Sequence, residues 1–431
     1  MQNYSSPVSG LRGTLKIPGD KSISHRSIIF ASIAEGTTTI EGLLESEDCL
    51  NTIKAFRNMG ISIETKSPGE YRVHGKGLKG LQEPGNIINC GNSGTTMRLL
   101  SGLLATQEFY SVLTGDFSLR QRPMNRIIIP LRKMGALIWA RDDMYAPLSI
   151  KGSSLKGIHY ELPVASAQVK SAILLAGLYV DDIIEIKEPA LSRDHTERIL
   201  KYFGGFITRN EIERRIILNN NTLPRLHAKK INIPGDISSA AYFLAAALIK
   251  ENSELVLENI GLNPTRIGFL NILKKMNANF EIFNIRNRNY EPTGDIIART
   301  SNLNGIEISG ELIPRLIDEI PIIAVLATQA EGRAIIKNAE ELRVKESDRI
   351  KTVVENLSKM GADIEELEDG MIINGPSVLE GGKLDCYYDH RIAMSLIIAS
   401  LIARSEVKIE NSKSINTSFP KFTKLLNNCF K

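Results

Sequence analysis

The sequence predicts an α/β protein of two similar domains, each built from three repeats of about 70 residues. Three observations predict this fold class. The chain has 431 residues, more than a single domain usually holds. The segment IPGDKSIS at Ile17 recurs as IPGDISSA at Ile233, half a chain later. A helix that is apolar almost all round returns six times at nearly regular intervals.

The apolar helices come first in each repeat, and a polar residue marks the start of each one. Asp, Ser and Asn at such positions are typical N-caps. A helix that is apolar on every side must be buried. The six anchors are spaced 72, 74, 70, 82 and 71 residues apart: Asp20, Asn92, Ser166, Asp236, Asp318 and Asp389.

A second, two-faced helix follows in each repeat, and it mostly ends in Met-Gly or a similar pair. Glycine after a helix is the usual left-handed C-cap, and a short strand follows each time. The pattern predicts a strand–helix–strand–helix–strand repeat with buried parallel helices and outer two-faced helices, an inside-out α/β barrel. The two-faced segments are residues 53–60, 130–135, 199–205, 272–277 and 353–361, with a worn last copy at 421–430.

The two Pro-Gly-Asp segments predict where the chain passes between domains. The second segment places one boundary near Gly235, and the first suggests another near Gly19. We therefore expect a first lobe of residues 20–235 and a second lobe of residues 1–19 plus 236–431.

Composition excludes several classes of protein. Apolar residues make up 42% and charged residues 24%, as in a globular chain with a large core. The net charge of +4 is too small to predict a nucleic-acid partner. The longest apolar run, residues 240–249, has ten residues, whereas a membrane helix needs about 20, so no membrane partner is expected. The four cysteines form no CxxC pair, which favours a cytoplasmic protein and argues against a zinc site.

Polar residues gather at the starts of the apolar helices. Helix N-termini carry unpaired N–H groups and about half a positive charge, so they bind anions. A merely solvated surface would not recur in register with buried helices. These residues predict an enzyme for two small anionic substrates in a cleft between domains. They are Lys21, Ser22, Arg26, Asn92, Ser93, Thr95, Arg98, Ser166, Gln168, Asp318, Glu319, His390 and Arg391, with Arg120, Arg122, Arg193, Arg343, Lys345, Glu346, Asp348 and Arg349 from connecting loops.

Nine motifs, in order along the chain, carry a resemblance to a known family. They are GDKSISHRS (19–27), GNSGTTMR (91–98), RQRPM (120–124), SAQVKSA (166–172), SRDHTE (192–197), PGDISSA (234–240), IDEIP (317–321), LRVKESDR (342–349) and YDHRIAMS (388–395). Over nearly its full length the chain resembles the 5-enolpyruvylshikimate-3-phosphate synthases. The loops SAQVKSA and SRDHTE are closer to the branch known for glyphosate-tolerant members.

The resemblance implies transfer of the enolpyruvyl group of phosphoenolpyruvate to the 5-hydroxyl of shikimate 3-phosphate, with release of phosphate. Each substrate carries a phosphate and a carboxylate, which suits Arg and Lys. The enol methylene gains a proton while the hydroxyl loses one, which calls for a carboxyl acid and a carboxylate base. No cofactor or metal is needed. The resemblance also implies a monomer and glyphosate as an inhibitor.

The family's site residues carry over onto matching positions. By resemblance, Asp318 is the base, Glu346 is the acid, and Lys21 and Lys345 are also catalytic. Those implied to bind shikimate 3-phosphate are Lys21, Ser22, Arg26, Ser166, Ala167, Gln168, Arg193, Asp318 and Lys345. Those implied to bind phosphoenolpyruvate are Lys21, Asn92, Gly94, Thr95, Arg122, Gln168, Glu346, Arg349, His390 and Arg391.

The sequence departs from the family pattern at two positions. Thr417 stands where many relatives have a lysine that contacts phosphate, and Lys413 or Lys421 is a possible substitute. Ala167 stands where other members have a serine, and Arg193 is a candidate to compensate for the lost hydroxyl.

Two alternative functions remain open from the sequence. One is the related enolpyruvyl transfer to UDP-N-acetylglucosamine, but that family carries a cysteine in the loop that here reads TGDFSLRQRPM. The other is a non-catalytic binder of phosphorylated metabolites or a decayed paralogue, which the presence of Asp318, Glu346, Lys345 and Arg122 together argues against.

Overall fold

The computed structural model describes residues 2–4, 9–220, 223–288 and 291–430. The chain divides into two compact units. The first unit comprises Gly19–Ile233 and Arg288–Glu291, and the second comprises Met1–Pro18, Pro234–Asn287 and Pro292–Lys431. The sequence analysis placed the domain boundaries after residues 19 and 235, whereas in the structure they fall after residues 18 and 233. The structure also adds the short segment 288–291 to the first unit.

The first unit alternates helices with short strands, after two strands near the N-terminus that belong to the second unit. Those two are β1 (Gln2–Tyr4) and β2 (Arg12–Lys16). The helices of the first unit are α1 (Lys21–Ile33), α2 (Glu47–Asn58), α3 (Gly94–Leu104), α4 (Asn125–Lys133), α5 (Ala167–Gly177) and α6 (His195–Tyr202). Its strands are β3 (Glu35–Glu41), β4 (Ser62–Ser67), β5 (Glu70–Lys76), β6 (Ile88–Asn89), β7 (Tyr110–Thr114), β8 (Leu137–Arg141), β9 (Tyr145–Lys151), β10 (Ile158–Glu161), β11 (Ile183–Lys187), β12 (Ile207–Asn210), β13 (Arg215–Asn219) and β14 (Lys230–Asn232).

The second unit follows the same order of elements. Its helices are α7 (Ile237–Ile249), α8 (Gly268–Lys275), α9 (Ile313–Leu316), α10 (Ile320–Ala327), α11 (Arg349–Lys359), α12 (His390–Ser400) and α13 (Phe422–Asn427). Its strands are β15 (Glu254–Gly261), β16 (Phe280–Arg288), β17 (Glu291–Arg299), β18 (Leu303–Asn304), β19 (Glu307–Ile308), β20 (Ala330–Ile336), β21 (Asp363–Leu367), β22 (Gly370–Gly375), β23 (Gly382–Asp385) and β24 (Val407–Glu410).

Each repeat builds one small sheet on a common plan. In the sheet β6-β7-β9-β8, the strand between the two helices pairs parallel with the preceding strand and antiparallel with the last one. Two strands follow the second helix, not the single strand predicted, because the chain turns back at once into a hairpin, as β8 does into β9. The other sheets are β14-β3-β5-β4, β10-β11-β13-β12, β16-β17-β15-β2, β18-β20-β22-β21 with β19 beside β20, and β1-β24-β23.

The apolar helices form the cores, as their composition requires. In the first unit α3 packs against α1 and α5, and in the second unit α7, α10 and α12 pack against one another. The close approach of α3 to α5 depends on Gly102, because a Cβ there would lie 2.1 Å from the carbonyl oxygen of Ala172. No helix in the described parts of the chain is long and apolar enough to cross a membrane.

Four of the six predicted anchors cap their helices. Asp20, Ser166, Asp236 and Asp389 each accept a hydrogen bond from a backbone N–H of the first turn. The other two predictions were wrong. Ser93 caps α3, because the Asn92 side chain is bonded to Asp116 and Arg122 instead. Asp318 lies within a 3₁₀ turn, Ile317–Glu319, that precedes α10.

Candidate active site

The first unit places Lys21 at the start of α1, against an acidic residue of α2. Its ammonium group lies 2.8 Å from the carboxylate of Asp48. The Asp48 side chain is buried, whereas that of Lys21 is 23% exposed. One face of the ammonium group is therefore held by a carboxylate, and a cation remains accessible at the helix N-terminus.

Arg26 lies one turn further along α1 and is buried. Its Nε donates to the Thr196 hydroxyl at 2.6 Å, and its Nη2 donates to the Ser171 hydroxyl at 2.7 Å. Its Nη1 donates to the carbonyl oxygen of Ser22 at 3.1 Å. Burial lowers the pKa of Arg26 to about 10, although the carboxylate of Glu197 acts in the opposite direction. The guanidinium stays charged at neutral pH and is oriented by neutral groups.

A glutamine joins α3 to α5. Arg98 Nη1 donates to Gln168 Oε1 at 2.7 Å, and Gln168 Nε2 donates to the Thr95 hydroxyl at 3.0 Å. Arg98 Nη2 also donates to the carbonyl oxygen of Pro123, in the RQRPM loop, at 3.2 Å. The first turns of two buried helices and a cationic loop are thus linked through side chains.

Arg122 lies beside the loop that leads into α3. Its Nη2 donates to Asn92 Oδ1 at 2.6 Å, and Asn92 Nδ2 in turn donates to Asp116 at 2.7 Å. Gly94 follows at the helix start. A Cβ on Gly94 would lie 2.7 Å from Nη1 of Arg98 and 3.7 Å from Nη1 of Arg122. Two guanidinium groups therefore converge beside a residue that has no side chain.

The start of α5 contributes a cap and a small residue. Ser166 Oγ accepts from the backbone N–H of Val169 at 3.4 Å, and Ala167 is the first residue of the helix. Arg193 is half-buried on the loop before α6. Its charge acts to lower the pKa of Arg26, which is consistent with the two cations lying near each other.

The motifs SAQVKSA and SRDHTE also meet through a buried lysine. Lys170 is fully buried, and its ammonium group lies 3.2 Å from Glu188 and 2.8 Å from Glu197. Ser192 donates a hydrogen bond to Glu188. The loop that carries Arg193 is therefore fixed to α5 by charge pairing inside the protein.

In the second unit, Arg349 forms the centre of a cluster of carboxylates. The side chain is only 1% exposed. Its Nε donates to Asp389 Oδ2 at 2.8 Å, its Nη2 donates to Glu346 Oε2 at 2.7 Å, and its Nη1 donates to Asp318 Oδ1 at 3.3 Å. One guanidinium group thus brings together the two carboxyl groups that the sequence proposes as acid and base.

Charge pairing decides the titration of this cluster. Burial acts to lower the pKa of Arg349, but Asp389 and Glu346 outweigh it, so the pKa lies above its ordinary value. Burial acts to raise the pKa of Asp389, but Arg349 outweighs it, so that pKa lies below its ordinary value. The buried pair is held in its ionised form.

Arg391 binds Asp318 from the start of α12. Its Nη1 donates to the backbone carbonyl of Asp318 at 3.0 Å, and its Nη2 lies 3.7 Å from Oδ2 of the same residue. Its Nη1 is also 3.8 Å from Glu319. Burial acts to lower the pKa of Arg391, but Asp318 outweighs it, and the pKa is raised. The Asp318 carboxylate therefore contacts both Arg349 and Arg391.

The loop before α11 carries the remaining charged candidates. Lys345 Nζ lies 3.3 Å from Glu341 and is partly exposed. Asp348 caps α11 by accepting from the N–H of Lys351 at 3.1 Å, and it pairs with Arg343 at 2.8 Å. Both contacts of Asp348 are structural.

His390 lies near the residue that replaces the family's lysine. Its Nδ1 is 3.5 Å from the Thr417 hydroxyl, which donates to the carbonyl oxygen of Ser414 at 2.8 Å. Lys413 and Lys421 are both exposed. A neutral hydroxyl therefore occupies the position next to His390.

The candidate residues thus fall into one group in each unit. Sequence reasoning missed the partners that orient them, above all Asp48 and Asp116, which carry no motif of their own. It assigned Asp389 only as a helix cap, although the same carboxylate also binds Arg349. In the described ranges no group of three or more His, Cys, Asp or Glu side chains is arranged to hold a metal ion.

Comparison with known proteins gives one consistent result. A family model described as EPSP synthase (3-phosphoshikimate 1-carboxyvinyltransferase) matches residues 6–426. A 3-phosphoshikimate 1-carboxyvinyltransferase of Brevibacillus brevis is 52% identical over 417 residues, which cover 96% of this chain and 97% of that protein. The solved EPSP synthase of Acinetobacter baumannii is 45% identical, with a TM-score of 0.89 over 99% of this chain and 98% of that one.

A more distant structure shares the fold alone. The enolpyruvyl transferase NikO of Streptomyces tendae is 15% identical, with a TM-score of 0.78 over 99% of this chain and 96% of that one. The predicted α/β fold class and the resemblance stated from the nine motifs are both confirmed. The chain belongs to the EPSP synthase family, the 3-phosphoshikimate 1-carboxyvinyltransferases.

Proposed function

We propose that this chain transfers the enolpyruvyl group of phosphoenolpyruvate to the 5-hydroxyl of shikimate 3-phosphate and releases phosphate. Family membership supports the reaction. The observation that carries the assignment of residues is the carboxylate pair: Glu346 and Asp318 lie 2.7 and 3.3 Å from one buried guanidinium, that of Arg349. The reaction needs one carboxyl group to remove a proton and another to supply one.

Shikimate 3-phosphate is assigned mainly to the first unit. The residues proposed to bind it are Lys21, Ser22, Arg26, Ser166, Ala167, Gln168 and Arg193, with Asp318 and Lys345 from the second unit. Arg26 supports this assignment, because hydroxyl groups orient its guanidinium without neutralising it. Arg193 supplies a further cation where Ala167 lacks a hydroxyl.

Phosphoenolpyruvate is assigned to a second set of cations. The residues proposed to bind it are Lys21, Asn92, Gly94, Thr95, Arg122, Gln168, Glu346, Arg349, His390 and Arg391. Arg122 is oriented by the amide of Asn92, and the N–H groups at the start of α3 add their partial positive charge. Thr417 carries a neutral hydroxyl and does not replace the lysine with which many family members contact phosphate at that position.

Asp318 is the proposed base and Glu346 the proposed acid. Arg349 and Arg391 favour the ionised form of Asp318, as a base requires. Glu346 must carry a proton, yet its contact with Arg349 favours the anion. A donor carboxylate that bound to Arg349 would compete for that contact and allow Glu346 to take up a proton. The same step would place the donor between acid and base.

The proposal also covers the setting in which the enzyme works. It acts as a monomer in the cytoplasm, without cofactor, metal, nucleic acid or membrane, and glyphosate competes with phosphoenolpyruvate. Buried, unpaired thiols at Cys49, Cys90, Cys386 and Cys429 suit a reducing compartment. Burial raises the pKa of Cys49 to about 12 and those of Cys386 and Cys429 to about 11, so these thiols stay protonated and unreactive.

Phosphate release with two alternative acceptors tests the proposed function. We expect release from phosphoenolpyruvate with shikimate 3-phosphate and none above background with UDP-N-acetylglucosamine. Mass spectrometry of the product should show the added enolpyruvyl group. Release only with the nucleotide sugar would assign the chain to the other transfer reaction, and release with neither acceptor would contradict catalysis.

A further inference from the structure

A chain of buried side-chain hydrogen bonds crosses three helices of the first unit. His25 Nδ1 lies 2.7 Å from the hydroxyl of Thr52, and that hydroxyl lies 2.7 Å from the hydroxyl of Thr96. The Thr96 hydroxyl in turn donates to Ser93 Oγ at 2.7 Å. All four side chains belong to fully buried residues. We call this chain the His25–Ser93 relay.

The relay joins the start of α1, assigned mainly to shikimate 3-phosphate, to the start of α3, assigned to phosphoenolpyruvate. On α1, His25 follows Lys21 by one turn, and on α2, Thr52 follows Asp48 by one turn. The two helices therefore meet at two successive contacts, Lys21 with Asp48 and His25 with Thr52. On α3, Thr96 belongs to the first turn.

The donors of the relay run in one direction. Burial lowers the pKa of His25, and the charges of Lys21 and Arg26 lower it further, so the imidazole is neutral. Among the described residues Nε2 of His25 has no hydrogen-bond partner. A proton on Nδ1 of His25 leaves no buried N–H of the ring unbonded. In this assignment Nδ1 donates to the Thr52 hydroxyl, and the Thr52 hydroxyl donates to that of Thr96.

We propose that Thr52 is a positioning residue, which fixes the distance between the first turns of α1 and α3 through His25 and Thr96. This inference rests on the proposed function. The start of α1 carries residues for shikimate 3-phosphate and the start of α3 carries residues for phosphoenolpyruvate. Each helix start can bind its own substrate alone, but the reaction requires the reacting groups of the two substrates to be held at the correct distance from each other. A misplacement of about 1 Å can cost about 10²-fold in rate.

Thr52 offers a pair of variants that separate hydrogen bonding from packing. Thr52→Val keeps the shape but removes the hydroxyl that both neighbours use, whereas Thr52→Ser keeps the hydroxyl and removes a methyl group. Thr38→Val is the matched control, because Thr38 is also fully buried in the first unit and accepts one hydrogen bond, from the N–H of Lys229 at 3.3 Å.

The experiment measures kcat, the Kd of shikimate 3-phosphate alone, and thermal unfolding. We expect Thr52→Val to lower kcat by about 10-fold to 100-fold while that Kd changes by less than about twofold. Thr52→Ser should keep kcat within about threefold of the parent enzyme, and Thr38→Val should behave like the parent. Thr96→Val, which removes the hydrogen bonds of the Thr96 hydroxyl with Thr52 and Ser93, gives a second test if Thr52→Val unfolds, and it should lower kcat in the same way.

Several outcomes would overturn the inference. Normal turnover in a folded Thr52→Val protein would show that the hydrogen bonds do not position the helices. Equal losses in Thr52→Val, Thr52→Ser and Thr38→Val, in step with lower unfolding temperatures, would reduce Thr52 to a packing role. If Thr52→Val unfolds, normal turnover in Thr96→Val would have the same meaning. A parent protein inactive with shikimate 3-phosphate and phosphoenolpyruvate would instead remove the proposed function, and this inference with it.

Discussion

The candidate-site arginines of the two units have different partners. In the first unit, Arg26 donates to two hydroxyls and a backbone carbonyl, and Arg122 donates to the amide oxygen of Asn92. In the second unit, carboxylates surround Arg349 and Arg391. Neutral partners position a cation without cancelling its charge, so that charge is left for an anionic ligand. Carboxylate partners neutralise the cation, but they are themselves held in place by it.

We propose that this difference divides the reaction between binding and proton transfer. Two substrates that each carry a phosphate and a carboxylate need cations, for which Lys21, Arg26 and Arg122 of the first unit are the candidates. Proton removal needs a carboxylate in a fixed position, and the Asp318 carboxylate proposed for it contacts Arg349 and Arg391. We therefore expect changes at Asp318 and Glu346 to reduce turnover, a change at Arg349 to reduce stability as well, and a change at Gly94 to alter ligand affinity.

The largest expected effect is loss of the acid or the base. Asp318→Asn and Glu346→Gln keep side-chain shape and an oxygen acceptor for Arg349, so both proteins should fold. Each should lower kcat by about 10²-fold to 10⁴-fold, the usual contribution of general acid–base catalysis. Steady-state kinetics with both substrates measures this.

Asp348→Asn is the matched control for these carboxyl variants. Asp348 caps α11 and pairs with Arg343, and asparagine caps a helix about as well as aspartate. Its turnover should stay close to that of the parent. If Asp318→Asn or Glu346→Gln kept normal turnover with unchanged substrate binding, the role assigned to that residue would be wrong.

Removing the central guanidinium should cost stability as well as activity. Arg349→Met leaves the buried Asp389 without its partner, and breaking a buried ion pair in this way costs about 3–5 kcal/mol in the free energy of unfolding. Arg343→Met, which breaks more exposed pairs, should cost about 0–1 kcal/mol. Urea denaturation of both variants provides the comparison.

The pH dependence of the free energy of unfolding also tests the pairing of Arg349 with Asp389. In the parent, the pKa of Asp389 is below its ordinary value of 3.8, so its contribution is complete above that pH and is lost on further acidification. In Arg349→Met, burial should raise this pKa, so stability should increase as the pH falls from 7.5 to 5. A constant stability difference between parent and variant across this range would contradict the pairing.

The smallest expected effect is a shift in inhibitor affinity in the first unit. Glyphosate resembles phosphoenolpyruvate but is longer, and Gly94→Ala would place a methyl group against Arg98 and near Arg122. The binding free energy of glyphosate should weaken by about 1–3 kcal/mol, which raises its inhibition constant. The KM for phosphoenolpyruvate should rise by a smaller factor. Gly85→Ala, where a Cβ would meet nothing within 4 Å, should change neither constant. Equal shifts for inhibitor and donor would show that Gly94 does not discriminate between them.

The sequence by itself determined the repeat and much of the site. Helices that are apolar on every side had to be buried. The recurring caps marked the starts of four of them: Asp20, Ser166, Asp236 and Asp389. These features are local, since helix periodicity and capping depend on residues within one or two turns. Lys21 and Asp318 were noticed because they lie near those starts, whereas Lys345 and Glu346 lie in a connecting loop, and all four catalytic roles came from the family resemblance.

Only the tertiary structure decided which partners meet. β2, which leads into the first repeat, pairs with β15 in the second unit, and β14 takes its place beside β3. Arg349 reaches Asp389, 40 residues further along the chain, and thereby holds Asp318 and Glu346 together. The sequence assigned residues 1–19 to the second lobe but identified neither the strand partner of β2 nor the meeting of Arg349 with Asp389, because such pairings follow from how strands and buried charges are satisfied in three dimensions.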